Sequence, residues 1–154
     1  MRVLDLFAGS GALGLTALSH GAAEAVFVER DGRLTEGIRT ALAKEGWAAR
    51  AEVWHRDALA AVRELGARGR RFDLILMDPP YGAEWIPRVL RAIRAAGVSA
   101  PGALVVAEGH WRDRPAEEPG IHIRREARYG ETALWFVEVE PGGETDAEME
   151  GADG

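Results

Sequence analysis

Asp78-Pro79-Pro80-Tyr81 follows directly on the apolar run Phe72-Asp73-Leu74-Ile75-Leu76-Met77, and these four residue types in this order carry the sharpest chemical signal in the chain. Each proline locks φ near −65° and donates no N–H, so the turn is stiff and its carbonyls stay free to accept. An exocyclic amine on a nucleobase is a poor nucleophile, because its lone pair is delocalised into the ring. Acceptors on Asp78 and on the Pro79 carbonyl would bind both N–H groups and turn that lone pair outward, while Tyr81 stacks on a base taken out of its helix. The chemistry suggested is methyl transfer to an amino group of a base. Taken alone, the string also fits a rigid strand-to-helix turn carrying a surface aromatic.

A second constellation lies at the N-terminus, in Asp5-Leu6-Phe7-Ala8-Gly9-Ser10-Gly11-Ala12-Leu13-Gly14. Glycines after a strand let the backbone turn sharply and approach a ligand at a helix N-terminus. Gly9, Gly11 and Gly14 satisfy G-x-G-x-x-G literally, and Glu29 closes the next apolar run, where an acid can bind ribose hydroxyls. That wording alone predicts a dinucleotide enzyme. Asp5 argues otherwise, because a carboxylate at the end of the first strand repels a pyrophosphate and attracts an ammonium or a sulfonium. His55-Arg56-Asp57-Ala58 adds an acid that can accept from an adenine amine, or that simply caps a helix. Adenine, ribose and a positively charged amino-acid end together describe S-adenosyl-L-methionine.

Composition narrows the field. The 154 residues suffice for one domain with a real core, and no apolar run approaches the ~20 residues that would span a bilayer. No signal peptide is recognisable, and a cytoplasmic protein is the expectation. Absence of cysteine excludes disulfides, thiolate metal sites and a cysteine nucleophile, and with the last the covalent route of pyrimidine C5 methylation. His20, His55, His110 and His122 show no ligand spacing, so no metal is expected. Ser10 has Ala8, not glycine, two residues before it, which removes the G-x-S-x-G elbow.

The net charge of −6 opposes phosphate binding on its face. Its distribution changes that. From Glu140 onward there are acids and no basic residue, which leaves the body up to residue 139 neutral. The body's basic residues are arginines apart from Lys44, and they cluster at 68–71, 112–114 and 124–128, where they could grip phosphates or simply line a solvated surface.

The elements that must position these residues read as an α/β alternation, the pattern of a mostly parallel sheet with helices on both faces. Strands are expected at 2–7, 25–29, 51–55, 72–77, 103–108, 121–128 and 134–139. Helices are expected at 11–20 with Leu13, Ala17 and Leu18 inward, after Asp31 with Leu34, Ile38, Ala41 and Leu42 on one face, at 58–66, and at 84–96 with Ile86, Val89, Leu90 and Ile93 inward. The last two strands join around Tyr129-Gly130-Glu131 as a hairpin that ends the sheet antiparallel. The folded domain spans 1–139, and the acidic tail 140–154 is expected to be disordered.

Together, the Leu-Phe-Ala-Gly-Ser-Gly-Ala-Leu-Gly wording, Phe27-Val28-Glu29-Arg30-Asp31, Asp57-Ala58, the Asp-Pro-Pro-Tyr turn and Tyr129-Gly130-Glu131-Thr132 resemble the ribosomal RNA small subunit methyltransferase D (RsmD) family over residues 1–139. The resemblance implies a Rossmann-like class I methyltransferase fold and transfer from S-adenosyl-L-methionine to the N2 amine of a guanosine in 16S ribosomal RNA. It implies a cofactor site of Asp5, Phe7, Ala8, Gly9, Gly11, Glu29, Arg30, Asp57, Ala58 and Asp78, and a base site of Asp78, Pro79, Pro80 and Tyr81. It implies a partner in 16S ribosomal RNA or the small ribosomal subunit, with a monomeric enzyme. Members carry a basic segment before the first strand that meets RNA, whereas this sequence begins at Met1-Arg2-Val3. Three other readings share some of these residues: an N6-adenine or N4-cytosine DNA methyltransferase, a nicotinamide-dependent oxidoreductase, and a non-catalytic cofactor-binding scaffold.

Overall fold

A computed structural model describes residues 1–142, so the expectation for the acidic tail falls, from residue 143 onward, outside the described residues. The elements are β1 (Arg2–Leu6), α1 (Ala12–Ser19), β2 (Glu24–Glu29), α2 (Gly32–Glu45), β3 (Ala51–His55), α3 (Ala58–Ala67), β4 (Phe72–Met77), α4 (Trp85–Ala96), β5 (Ser99–His110), β6 (Ile121–Tyr129) and β7 (Thr132–Val139). They build one seven-stranded sheet in the order β3-β2-β1-β4-β5-β7-β6. The first five strands run parallel, and β7 enters between β5 and β6 antiparallel to both. The expected seven strands and closing hairpin are present; β6 takes the edge because β7 folds back beside β5.

Strands β1 and β2 are buried on both faces, as parallel strands under two helical layers must be. Alternation sends Leu4, Leu6, Val26 and Val28 to the layer of α3 and α4, and Val3, Ala25 and Phe27 to that of α1 and α2. Helices α3 and α4 pack closely because Gly66 stands where a Cβ would sit 2.5 Å from the Ala96 carbonyl oxygen.

Four sequence expectations are corrected. Leu13 is 52% exposed and Leu34 is 38% exposed. In α1 the buried face runs through Gly14 and Leu18, because only glycine lets the helix lie against the Phe27 ring, and Leu13 is thereby turned to solvent. In α2 the buried face runs through Thr35, Ile38 and Leu42, one step round from Leu34. β1 ends at Leu6, not Phe7, because Phe7 turns to φ 58 and leaves the ladder. Strand β5 starts earlier than periodicity suggests, at Ser99, whose hydroxyl donates to the Val139 carbonyl at 2.9 Å. Beyond β7, the backbone N–H groups of Glu140 and Gly142 donate to Gly120 and Arg94. Among the described residues no helix is long and apolar enough to cross a membrane.

Candidate active site at the carboxyl edge of the sheet

In a parallel sheet, ligand sites gather where strands end and helices begin, at the point where the strand order reverses. Here β1 lies between β2 and β4, and the C-terminal ends of β2, β1, β4 and β5 place Glu29, Asp5, Asp78 and Glu108 along one edge. Four carboxyl groups on one rim make a site that favours a cation.

Asp5 is 2% exposed and accepts the Gly14 N–H at 3.1 Å. Its pKa is pushed from 3.8 to about 7 by burial first, while the Gly14 hydrogen bond opposes the rise and the charges of Asp78 and Glu29 add to it. The G-x-G-x-x-G wording therefore wraps around an acid. A Cβ at Gly14 would sit 2.4 Å from the Phe27 ring and 3.1 Å from Asp5 Oδ2, so the third glycine serves close packing. Gly9 and Gly11 take positive φ and shape the turn, whose backbone is tied by Gly11 N–H to the Ala8 carbonyl and by Ala8 N–H to the Val28 carbonyl.

Glu29 is buried and accepts two backbone donors, Gly9 N–H at 3.0 Å on one oxygen and Asp31 N–H at 2.7 Å on the other. Each carboxylate oxygen keeps a second lone pair for a ligand hydroxyl. Asp57 caps α3 by accepting the Ala60 N–H at 3.1 Å, so the capping alternative holds. Its position also lines a slot with Phe7, Glu29, Arg30, Ala58, Pro80 and Trp85. The Arg30 carbonyl is within 2.9 Å of His55 Nε2. Of the residues assigned to the cofactor, Phe7, Glu29, Arg30, Asp57 and Ala58 meet in this slot, whereas Asp5, Ala8, Gly9 and Gly11 form the loop beside it.

The Asp78-Pro79-Pro80-Tyr81 turn leaves β4 into a wider cleft of about 380 Å³, whose walls include Pro79, Pro80, Tyr81, Trp85, Glu108 and His110. Pro79 is buried and Asp78 and Pro80 are exposed; Tyr81 is 70% exposed and its ring meets His110 edge-on at 6.3 Å. After it, Gly82, Ala83 and Glu84 take φ of 86°, 54° and 51° before α4 begins at Trp85. Two successive non-glycine residues in that region are costly, and such outliers cluster at ligand sites.

Sequence reasoning missed Trp85 and Glu108. Trp85 packs edge-on against Phe7 with centroids 5.5 Å apart, carries the Arg88 guanidinium over its ring at 4.5 Å, and lines both slot and cleft. The one sequence sign was an aromatic four residues beyond Tyr81. Glu108 follows Ala107, the register partner of Met77, and so comes to lie beside Asp78. Burial, then a hydrogen bond with Asp78 and the Asp78 charge, hold its carboxyl above the usual range. No group of metal-binding residues exists among the described residues.

This strand order with an inserted antiparallel β7, an acid at the end of β1 and the Asp-Pro-Pro-Tyr turn at the end of β4 define a class I, Rossmann-like methyltransferase fold. The family model described as Conserved hypothetical protein 95 matches residues 1–138. The chain belongs to this family, the RsmD family. Ribosomal RNA small subunit methyltransferase D of Escherichia coli (strain K12) is 31% identical over 148 residues, covering 96% of this chain and 73% of that protein. YlbH of Bacillus subtilis (strain 168), described as a candidate rRNA methyltransferase, is 33% identical over 137 residues, covering 86% of this chain and 73% of its own length. Among solved structures, yhhF from Escherichia coli, described as a candidate methyltransferase, superposes with a TM-score of 0.82 at 28% identity, over 90% of this chain and 77% of that one.

Proposed function

We propose that this protein transfers a methyl group from S-adenosyl-L-methionine to the N2 amine of a guanosine in small-subunit ribosomal RNA, acting as a cytoplasmic monomer. The observation that carries the reading is the shared wall between two cavities: Pro80 and Trp85 line both the slot beside Glu29 and Asp57 and the cleft beside Pro79 and Tyr81. A donor held in the first can meet an acceptor held in the second. Ribosomal RNA as the substrate, and its small-subunit origin, rest on the names of the relatives.

The residues present fit the cofactor. Glu29 offers lone pairs to ribose hydroxyls, Asp57 offers its carboxylate to the adenine amine, and Phe7, Ala58 and Trp85 supply apolar walls. Asp5 is an acid whose raised pKa a neighbouring cation would bring down. Bound there, the cofactor supplies an electrophilic methyl on a sulfonium. The chain's own work is orientation: Asp78 and the Pro79 carbonyl accept the two N–H groups of the amine, which points its lone pair away from them, and Tyr81 stacks on the base. Asp78 then receives the proton that becomes acidic once nitrogen carries the methyl. Asp78→Ala is expected to abolish transfer and leave cofactor affinity within about threefold; joint loss of both would refute the role.

The test is incubation with labelled S-adenosyl-L-methionine and unmethylated small subunits, followed by nucleoside analysis. Labelled N2-methylguanosine supports the proposal, and label confined to adenosine, cytidine or protein overturns it.

A further inference from the structure

Asp78 and the Pro79 carbonyl satisfy the two N–H groups of any exocyclic amine, and so do not by themselves choose between bases. The choice must come from the ring nitrogen next to the amine. In guanine that nitrogen, N1, carries a hydrogen and needs an acceptor; in adenine N1 and in cytosine N3 it is a bare lone pair and needs a donor.

Glu108 is the acceptor nearest to hand, beside Asp78 at the mouth of the turn. It lines the cleft with Pro79, Pro80 and Tyr81, lies near the end of β5 one residue past the register partner of Met77, and shares a recess with Asp78. Beside the cleft, Asp78 and Glu108 line a second recess with Thr132 of β7, an uncharged residue. The ionisable groups that face the pair are Asp5 from β1, Tyr81 from the turn, and His110 two residues along β5, with Glu131 of the hairpin 3.9 Å behind that imidazole. Across the cleft Arg114 is 3.7 Å from Glu126, and Arg91 is paired with Glu118 at 3.0 Å, so each of these cations already faces a carboxylate of its own. Asp113 and Glu84 complete the ionisable lining of that wall.

We infer that Glu108 is the base-selecting residue, accepting N1–H of a guanine while Asp78 and the Pro79 carbonyl accept the two hydrogens of N2. Three donors then meet three acceptors. A base with a bare ring nitrogen brings no hydrogen to Glu108 and sets its lone pair against a carboxyl oxygen. The inference rests on the proposed methylation of a base amine, and it accounts for guanine where the Asp-Pro-Pro-Tyr turn alone does not.

The decisive probe is 2-aminopurine, which keeps the 2-amine of guanine and has a bare N1. Transcripts spanning the labelled small-subunit site would carry either guanosine or 2-aminopurine riboside at the acceptor position. The wild-type protein is expected to methylate the guanosine transcript at least about a hundredfold more efficiently, because a site built to pair a donor is left with an unpaired acceptor by a substrate lacking it. Glu108→Gln, whose amide can accept from N1–H or donate to bare N1, is expected to bring the two transcripts within about tenfold, with cofactor affinity unchanged as evidence of folding. Equal use of both transcripts by the wild type, or full discrimination retained by Glu108→Gln, overturns the inference while leaving the methyltransferase intact. Failure of the wild type to methylate guanosine at all would overturn the proposed function, and this inference with it.

Discussion

Asp5→Asn separates what the site costs the fold from what it gives the ligand. In the folded protein Asp5 is 2% exposed, with its pKa raised from 3.8 to about 7, mainly by burial. A carboxyl whose folded pKa lies above its unfolded value binds its proton more tightly in the native state, so its stabilising contribution is present below about pH 4 and is lost as pH rises to about 7. The span of about three pH units, at 1.36 kcal/mol each, places an upper bound of about 4 kcal/mol on the loss. Asparagine keeps an oxygen for the Gly14 N–H, which Asp5 now accepts at 3.1 Å, and carries no charge. In urea titrations without ligand, Asp5→Asn is expected to be more stable than the parent by about 2–4 kcal/mol at pH 8 and nearly equal to it at pH 4. By differential scanning calorimetry at pH 8 the gain corresponds to roughly 10 °C. The same variant is expected to lose affinity for S-adenosyl-L-methionine by about a hundredfold or more, because the site's buried anion is gone. A variant that is destabilised at pH 8, or that gains equally at both pH values, would refute the account of Asp5 as a strained acid kept for a cation.

Gly14→Ala is expected to lower stability by about 1–3 kcal/mol in chemical denaturation, since its Cβ meets the Phe27 ring at 2.4 Å and the buried ring has little room to give; an unchanged midpoint would show that α1 slides freely. Trp85→Ala removes the wall common to slot and cleft, and is expected to weaken cofactor binding by about tenfold or more in equilibrium titrations, whereas Trp85→Phe retains most of it. Asp78→Ala, measured in the same titrations and by methyl transfer, should separate binding from turnover as described above.

Much of this molecule could be read along the chain. Strand β3 over 51–55 and strand β4 over 72–77 follow from β-rich runs between turn signals, and the Asp31 and Asp57 caps from local hydrogen bonding, which depends on neighbours in sequence alone. The identity of the glycine loop, Glu29 and the Asp-Pro-Pro-Tyr turn was equally local. The side-chain period failed where packing decides rotation: Leu13 and Leu34 fit an amphipathic pattern, yet the close approach of Gly14 to Phe27, and the set Thr35, Ile38 and Leu42, turned both outward. What no stretch of sequence could show is which strand ends lie side by side. Asp78 and Glu108 are thirty residues apart in the chain, and neighbours only because β4 and β5 pair in parallel with Met77 opposite Ala107. Sequence thus determined the residue types and their local turns, since these depend on covalent geometry and near neighbours. Register and helix rotation, which are properties of long-range packing, decided that Asp5 is a buried acid of raised pKa, that Trp85 divides the two cavities, and that a second carboxyl stands beside Asp78.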